Sequence, residues 1–128
     1  MITLPYPPSG NRYWRVYKSK IVKSQEARIY QNAVRLLAIN WRRKFWDGRL
    51  AARLELYAPN RIKMDLDNSA KVVLDALQTA EVYENDSQID DLHIIRCGIE
   101  KNGKIVITLS KIMEPEQCLI TPNCEATL

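Results

Sequence analysis

The sequence predicts a single α+β domain, a mixed or antiparallel sheet carrying two main helices in the order β-α-β-α-β-β. Three observations predict it. Residues 49–58 alternate cleanly, with Leu50, Ala52, Leu54, Leu56 and Ala58 on one side and Arg49, Arg53, Glu55 and Tyr57 on the other, the period of a half-buried strand. Two stretches, 25–45 and another beginning near residue 67, repeat apolar residues at three- and four-residue spacing, as a helix with one buried face does. Two β-rich runs, 92–99 and 104–110, are joined through Lys101-Asn102-Gly103, and an Asn-Gly pair there predicts a tight hairpin turn.

The elements follow in order. Residues 1–4 read as a short strand, closed by Pro5-Tyr6-Pro7-Pro8-Ser9-Gly10-Asn11, a stiff and non-helical turn because three prolines and a glycine crowd seven positions. Residues 12–23 hold five cations, Arg12, Arg15, Lys18, Lys20 and Lys23, among the aromatics Tyr13, Trp14 and Tyr17, with no acid. Such a mixture suits a groove or flap on DNA, cations on phosphates and rings on bases; an exposed hairpin whose aromatics pack on the domain is equally consistent. Ser24 is an N-cap for the helix over 25–45, with Tyr30, Val34, Leu37, Trp41 and Phe45 facing the core. Arg28, Arg35 and Arg42 repeat every seven residues on another face, either tracking a phosphate backbone or simply solvated. Asp47-Gly48 breaks the chain before the alternating strand, and Pro59-Asn60 ends that strand. The second helix starts near Asp67 or Asn68, either able to cap it, with Ala70, Val73, Leu74 and Leu77 as its apolar stripe. Residues 81–91 form a polar, acidic loop, and from Met113 the chain loses all periodicity. The domain is therefore expected over 1–112, with an unassigned tail over 113–128.

Composition narrows the class. A chain of 128 residues, 46% hydrophobic and 27% charged, can bury a core without staples. No apolar run approaches membrane-spanning length and the N-terminus lacks a signal-peptide layout, so a cytoplasmic protein with no membrane partner is expected. Cys97, Cys118 and Cys124 include no Cys-x-x-Cys pair, and His93 stands alone, so free thiols are expected rather than disulfides or zinc. Net charge is +4 but lopsided: residues 1–63 hold 14 Lys+Arg against 3 Asp+Glu, a balance of +11, and residues 64–128 hold 5 against 12, a balance of −7. The basic half points to a polyanion, and the acidic half would resist it unless a metal neutralised its carboxylates.

Those carboxylates centre on Asp65-Leu66-Asp67-Asn68. Residues two apart in an extended segment point the same way, so Asp65 and Asp67 can address one site, and such closely held acids repel unless a cation intervenes. Lys71 lies one helical turn beyond Asp67 and Asp75 a turn further, while Asp86 in the acidic loop can supply a third oxygen ligand. Carboxylates without His or Cys suit Mg²⁺, with Mn²⁺ as a substitute. Lys71 could stabilise charge building on a phosphoryl group as a fixed cation. The bland alternatives are helix capping for Asp67 and Asn68, and a surface ion pair for Lys71 and Asp75.

These residues resemble the RusA-type Holliday-junction resolvases, small endonucleases common in phages and prophages, over about residues 2–109. Three blocks carry the resemblance: Ile2-Thr3-Leu4-Pro5-Tyr6-Pro7-Pro8-Ser9-Gly10-Asn11-Arg12; Asp65-Leu66-Asp67-Asn68 with Lys71 and Asp75-Ala76-Leu77; and Asn85-Asp86. The resemblance implies a homodimer that binds four-way DNA junctions and nicks two opposing strands symmetrically with Mg²⁺, in DNA recombination and repair. It assigns metal binding to Asp65, Asp67 and Asp86 and the essential lysine to Lys71, leaving Asn68 and Asp75 as secondary candidates. Asn11, Arg12, Arg15, Lys18, Lys20, Lys23, Arg61 and Lys63 are the residues expected on DNA. Family members often carry Asp-Asp where this chain has Asn85-Asp86, and a glycine near Glu81. A non-catalytic basic DNA-binding module, or a metal-dependent nuclease on other branched nucleic acids, are the competing functions.

Overall fold

A computed structural model of the chain describes residues 1–61 and 65–113, leaving aside the side chain of Asn11. In chain order the elements are β1 (Ile2–Leu4), α1 (Gly10–Tyr13), β2 (Trp14–Tyr17), β3 (Lys20–Lys23), α2 (Gln25–Leu37), β4 (Leu50–Ala58), α3 (Leu66–Thr79), β5 (Ile89–Ile99) and β6 (Lys104–Lys111). Short 3₁₀ turns lie at Ile39–Trp41 and Asp86–Gln88. The strands make a four-stranded mixed sheet, β1-β6-β4-β5, and a separate two-stranded ribbon, β2-β3. An α+β domain with two main helices on a mixed sheet is therefore what the chain forms.

β4 is the strand that the alternation predicted, and it lies inside the sheet because both its edges find partners. β6 runs antiparallel to it, while β5 runs parallel after the α3 crossover. Leu50, Leu54 and Leu56 of β4 pack with Ile105 and Ile107 of β6, Leu4 of β1, Val34 of α2, and Val72, Val73 and Leu77 of α3 in one core. Each such fully buried aliphatic contributes roughly 1.5–3 kcal/mol.

The Asn-Gly turn corrects one expectation. Asn102 and Gly103 do take left-handed φ values of 70° and 67°, and the Gly103 N–H donates to the Glu100 carbonyl at 2.8 Å. Yet β5 and β6 do not pair, since β4 lies between them. The turn crosses the end of β4 instead, with the Glu100 N–H on the Ala58 carbonyl at 2.9 Å. A Cβ on Gly103 would stand 2.9 Å from both Pro59 Cδ and Tyr6 Cβ, so only glycine fits.

Other boundaries move for identifiable reasons. α2 ends at Leu37 rather than continuing to Phe45: Ala38 leaves helical geometry and a 3₁₀ turn follows. Leu37 is then 53% exposed and Ala38 takes its place in the core, while Trp41 and Phe45 still swing inward, ring centroids 5.4 Å apart. Residues 10–13 form a helical turn in the segment expected to be non-helical, with the Arg12 and Tyr13 N–H groups both on the Ser9 carbonyl at 2.9 Å. The acidic loop holds two fully buried residues, Val82 and Tyr83, and β5 begins at Ile89 rather than Leu92.

No described helix is long and apolar enough to cross a membrane. Cys97 is a free, exposed thiol, while Cys118 and Cys124 lie outside the described residues.

Candidate active site

The β4–α3 junction presents the paired carboxylates. α3 is capped by Asp65, two residues before the expected start, through its backbone: the Asp65 carbonyl accepts from the Ser69 N–H at 3.2 Å. The Asp65 carboxylate makes no capping bond, so the bland role for an acid at this position is not the one it performs. Asp67 follows in the first turn of α3, and both aspartates are exposed, with no side-chain hydrogen bond or ion pair among the described residues. The helix N-terminus adds partial positive charge beside them. Beneath this turn Ser69 is fully buried and its hydroxyl has no partner among the described residues. Gly10 packs directly on Asn68, a Cβ there lying 3.3 Å from the Asn68 side chain, so the Pro-rich N-terminal segment abuts this end of α3.

Lys71 is exposed on the same helical face, one turn beyond Asp67, and has no ion pair among the described residues. The alternative reading, a Lys71–Asp75 surface ion pair, is not what forms, because Asp75 is committed elsewhere. The Tyr13 hydroxyl donates to its carboxylate at 2.6 Å, Gln31 Nε2 at 3.2 Å, and the Lys23 ammonium stands 2.9 Å away. Gln31 also donates to the Tyr13 hydroxyl at 2.8 Å, and Lys23 reaches Thr79 Oγ1 at 3.3 Å. Burial first, then the hydrogen bond to the Asp75 carboxylate, push the Tyr13 phenol well above its ordinary pKa. Asp75 therefore ties the root of the β2-β3 ribbon to α2 and α3. Tyr13, Gln31 and Lys23 were not legible as its partners: they lie 62, 44 and 52 residues away, and no local spacing marks them.

Asp86 stands elsewhere. Its backbone N–H donates to Gln78 Oε1 at 2.9 Å, eleven residues beyond Asp67 on α3 and so about 16 Å along the helix axis. Topology agrees: Asp65 follows the C-terminal end of β4, whereas Asp86 precedes the N-terminal end of a parallel neighbour. Two carboxylates on one Mg²⁺ each lie about 2.1 Å from it, so one protomer does not bring Asp86 to the Asp65–Asp67 pair. Accordingly, no group of three or more His, Cys, Asp or Glu side chains able to hold a metal occurs among the described residues. The pair by itself still fits Mg²⁺, which is commonly held by one or two carboxylates together with water and substrate phosphate oxygens.

The two departures in this loop have local explanations. Asn85 caps the 3₁₀ turn, its side-chain oxygen accepting from the Ser87 N–H at 2.8 Å while Gln88 Oε1 accepts from the Asn85 N–H at 2.9 Å, a role Asn fills as well as Asp. Glu81 adopts φ 63°, the left-handed backbone where glycine is favoured, and its carboxylate takes a two-pronged contact from Arg42 at 2.7 and 3.1 Å. Arg42 therefore belongs to an ion pair rather than to an arginine stripe.

The basic candidates gather at the ribbon. Paired residues share a face, so Arg15, Tyr17, Lys20 and Val22 lie on one side of it and Trp14, Val16, Ile21 and Lys23 on the other. Val16 and Ile21 are 71% and 74% exposed, whereas Tyr13 at the root is buried. The aromatics thus divide between the two expected roles. Lys18 and Ser19 form the tip with φ 50° and 65°, a two-residue turn made without glycine. Arg12 lies 3.9 Å from Glu26, and Arg61 lines a cleft with Arg96 and Ile99 at the end of β5. Lys63 lies outside the described residues, as does the side chain of Asn11.

Comparison with known proteins accords with this geometry. The family described as Endodeoxyribonuclease RusA matches residues 5–110. The crossover junction endodeoxyribonuclease RusA of Escherichia coli (strain K12) is 33% identical over 115 residues, covering 87% of this chain and 93% of that protein. The enzyme of Shigella sonnei (strain Ss046) matches with the same identity and coverage, and that of Enterobacteria phage 82 is 33% identical over 116 residues, again 87% and 93%. With the family covering residues 5–110 and these relatives 33% identical over 87% of the chain, this protein belongs to the RusA endodeoxyribonuclease family.

Proposed function

We propose that this protein is a Mg²⁺-dependent, structure-selective DNA endonuclease that resolves four-way junctions by paired symmetric nicks, in recombination and repair. It would act as a homodimer in the cytoplasm of a bacterial or phage-infected cell. The observation that carries the proposal is the state of the Asp65, Asp67 and Lys71 side chains: all three are exposed at one end of α3 and none makes a hydrogen bond or ion pair among the described residues. The names of the bacterial and phage relatives supply the substrate. The competing non-catalytic module needs these carboxylates as caps or ion-pair partners, and Asp65 caps nothing with its side chain.

Asp65 and Asp67 would hold the metal, which when bound would polarise a phosphodiester oxygen and lower the pKa of a water. Lys71, fixed on α3 one turn away, would hold the extra negative charge on the phosphoryl oxygens or on the leaving oxygen. Asp75 keeps the basic ribbon docked beside that helix, and Arg12, Arg15, Lys18, Lys20, Lys23, Arg61, Lys63 and Asn11 would track the DNA backbone. Asp86, remote from the pair in its own protomer, is available to the site only from a second copy of the chain, which accords with a homodimer.

Asp67→Asn tests the assignment. It removes one ligand charge and leaves the basic surface, so junction binding is expected to persist while Mg²⁺-dependent nicking of a synthetic four-way junction disappears. Nicking at the wild-type rate by Asp67→Asn would refute the site.

A further inference from the structure

Several arginines on the sheet and at its far end are paired with an acid: Arg49 reaches Asp90 at 2.8 Å, Arg53 reaches Glu55 at 3.3 Å, and Arg42 reaches Glu81 at 2.7 Å. Arg15 and Arg28 have none among the described residues, and they meet across one cleft. The cleft lies between the ribbon and the start of α2, has a volume of about 540 Å³, and is lined by Arg15, Tyr17, Val22, Lys23, Gln25 and Arg28.

No acid lines it. Glu26, its nearest acidic neighbour in sequence, faces the other way, lining a cavity with Tyr6, Pro8 and Ile29 and lying 3.9 Å from Arg12. Lys23 in the wall is balanced by Asp75, so the uncompensated charge belongs to Arg15 and Arg28. The first turn of α2 adds the positive end of its dipole, Gln25 being the first helical residue.

We propose that this cleft is a phosphodiester-backbone site for an arm of the DNA substrate, separate from the carboxylates and with Arg28 as a binding residue. The inference rests on the endonuclease reading for the identity of the substrate. Position supports a site separate from the carboxylates: the cleft opens on the Arg15–Tyr17–Val22 face of the ribbon, while the opposite face is tied to α3 through Lys23 and Asp75.

The test measures four-way junction binding without divalent metal over a series of salt concentrations, and nicking with Mg²⁺ at saturating junction, for wild type, Arg28→Ala, Arg15→Ala and Arg53→Ala. Arg53 is exposed, paired with Glu55 and outside the cleft, so Arg53→Ala removes the same charge elsewhere. The expected result is binding weaker by about three- to tenfold for Arg28→Ala and Arg15→Ala, each with a log K against log salt slope smaller by about one. Arg53→Ala, outside the cleft and the carboxylate site, should bind and nick as wild type. Wild-type affinity and slope in both cleft variants would overturn the inference, as would equal losses in Arg28→Ala and Arg53→Ala, which would reduce the cleft to general charge. Wild-type protein that binds but never nicks would overturn the endonuclease reading instead, and the cleft would still be judged by the binding series.

Discussion

Replacing Lys71 by Ala separates catalysis from folding more cleanly than any other change at the site. Lys71 is exposed on α3 and has no hydrogen bond or ion pair among the described residues. Ala and Lys are both strong helix formers, so folding stability should change by no more than about 0.5 kcal/mol. The catalytic loss should be far larger. An ammonium about 4 Å from a developing phosphoryl charge, at the effective dielectric of a protein surface, is worth about 4 kcal/mol. Deleting one fixed donor aimed at transition-state charge elsewhere costs about 10²–10³ in rate, or about 2.7–4 kcal/mol, so two independent routes agree. The assay is single-turnover nicking of a four-way junction at saturating enzyme, run beside thermal unfolding and junction binding on the same preparations. The expected outcome is a hundredfold or greater rate loss (about 10²–10³) with unchanged melting temperature and nearly unchanged binding. A rate close to wild type would refute a catalytic role for this cation. So would a loss that merely follows weakened binding, because Lys71 would then be one more phosphate contact.

Tyr13→Phe should cost about 1.5 kcal/mol, the low end for a hydrogen bond to a charged group, since Lys23 and Gln31 still hold the Asp75 carboxylate. Thermal unfolding should move down by about 5–8 °C, and pairing the change with Asp75→Asn should give clear non-additivity. Gly103→Ala places a Cβ 2.9 Å from Pro59 and Tyr6 at φ 67°, so a loss of about 2–3 kcal/mol is expected in denaturant titration, strain and overlap together. Alkaline pH should unfold the protein through its buried phenols: burial is the first cause of the raised pKa at Tyr13, Tyr30 and Tyr83. Unfolded phenols ionise near about pH 10, so this stabilisation is complete below that value and is lost as pH rises from there through the folded-state pKa values. Phenolate absorbance from these three should therefore appear together with loss of the folded signal, whereas early, reversible titration of all six tyrosines in folded protein would contradict it.

By itself the sequence determined the features that depend on near neighbours. Alternation over 50–58 gives β4 because side chains in a strand change faces at every residue, and that period survives any tertiary arrangement. Asp65, Asp67 and Lys71 could be placed at the start of a helix from spacing alone, and the basic ribbon was visible as a run of cations and aromatics without an acid. Tertiary structure decided everything that depends on which distant segments meet. Strand order was hidden because the Asn102-Gly103 dihedrals are the same whether the turn joins paired strands or crosses the end of a third, and the α3 crossover determined that β4 would lie between. Asp75 reads as the natural partner of Lys71 four residues away, yet a buried phenol and a lysine from the ribbon claim it, contacts that span 62 and 52 residues. Asp86 looked like a neighbour of Asp65 because a loop can return anywhere. The parallel pairing of β4 and β5 instead sends it to the opposite end of α3, since a crossover helix must run back along the sheet before the next strand can begin.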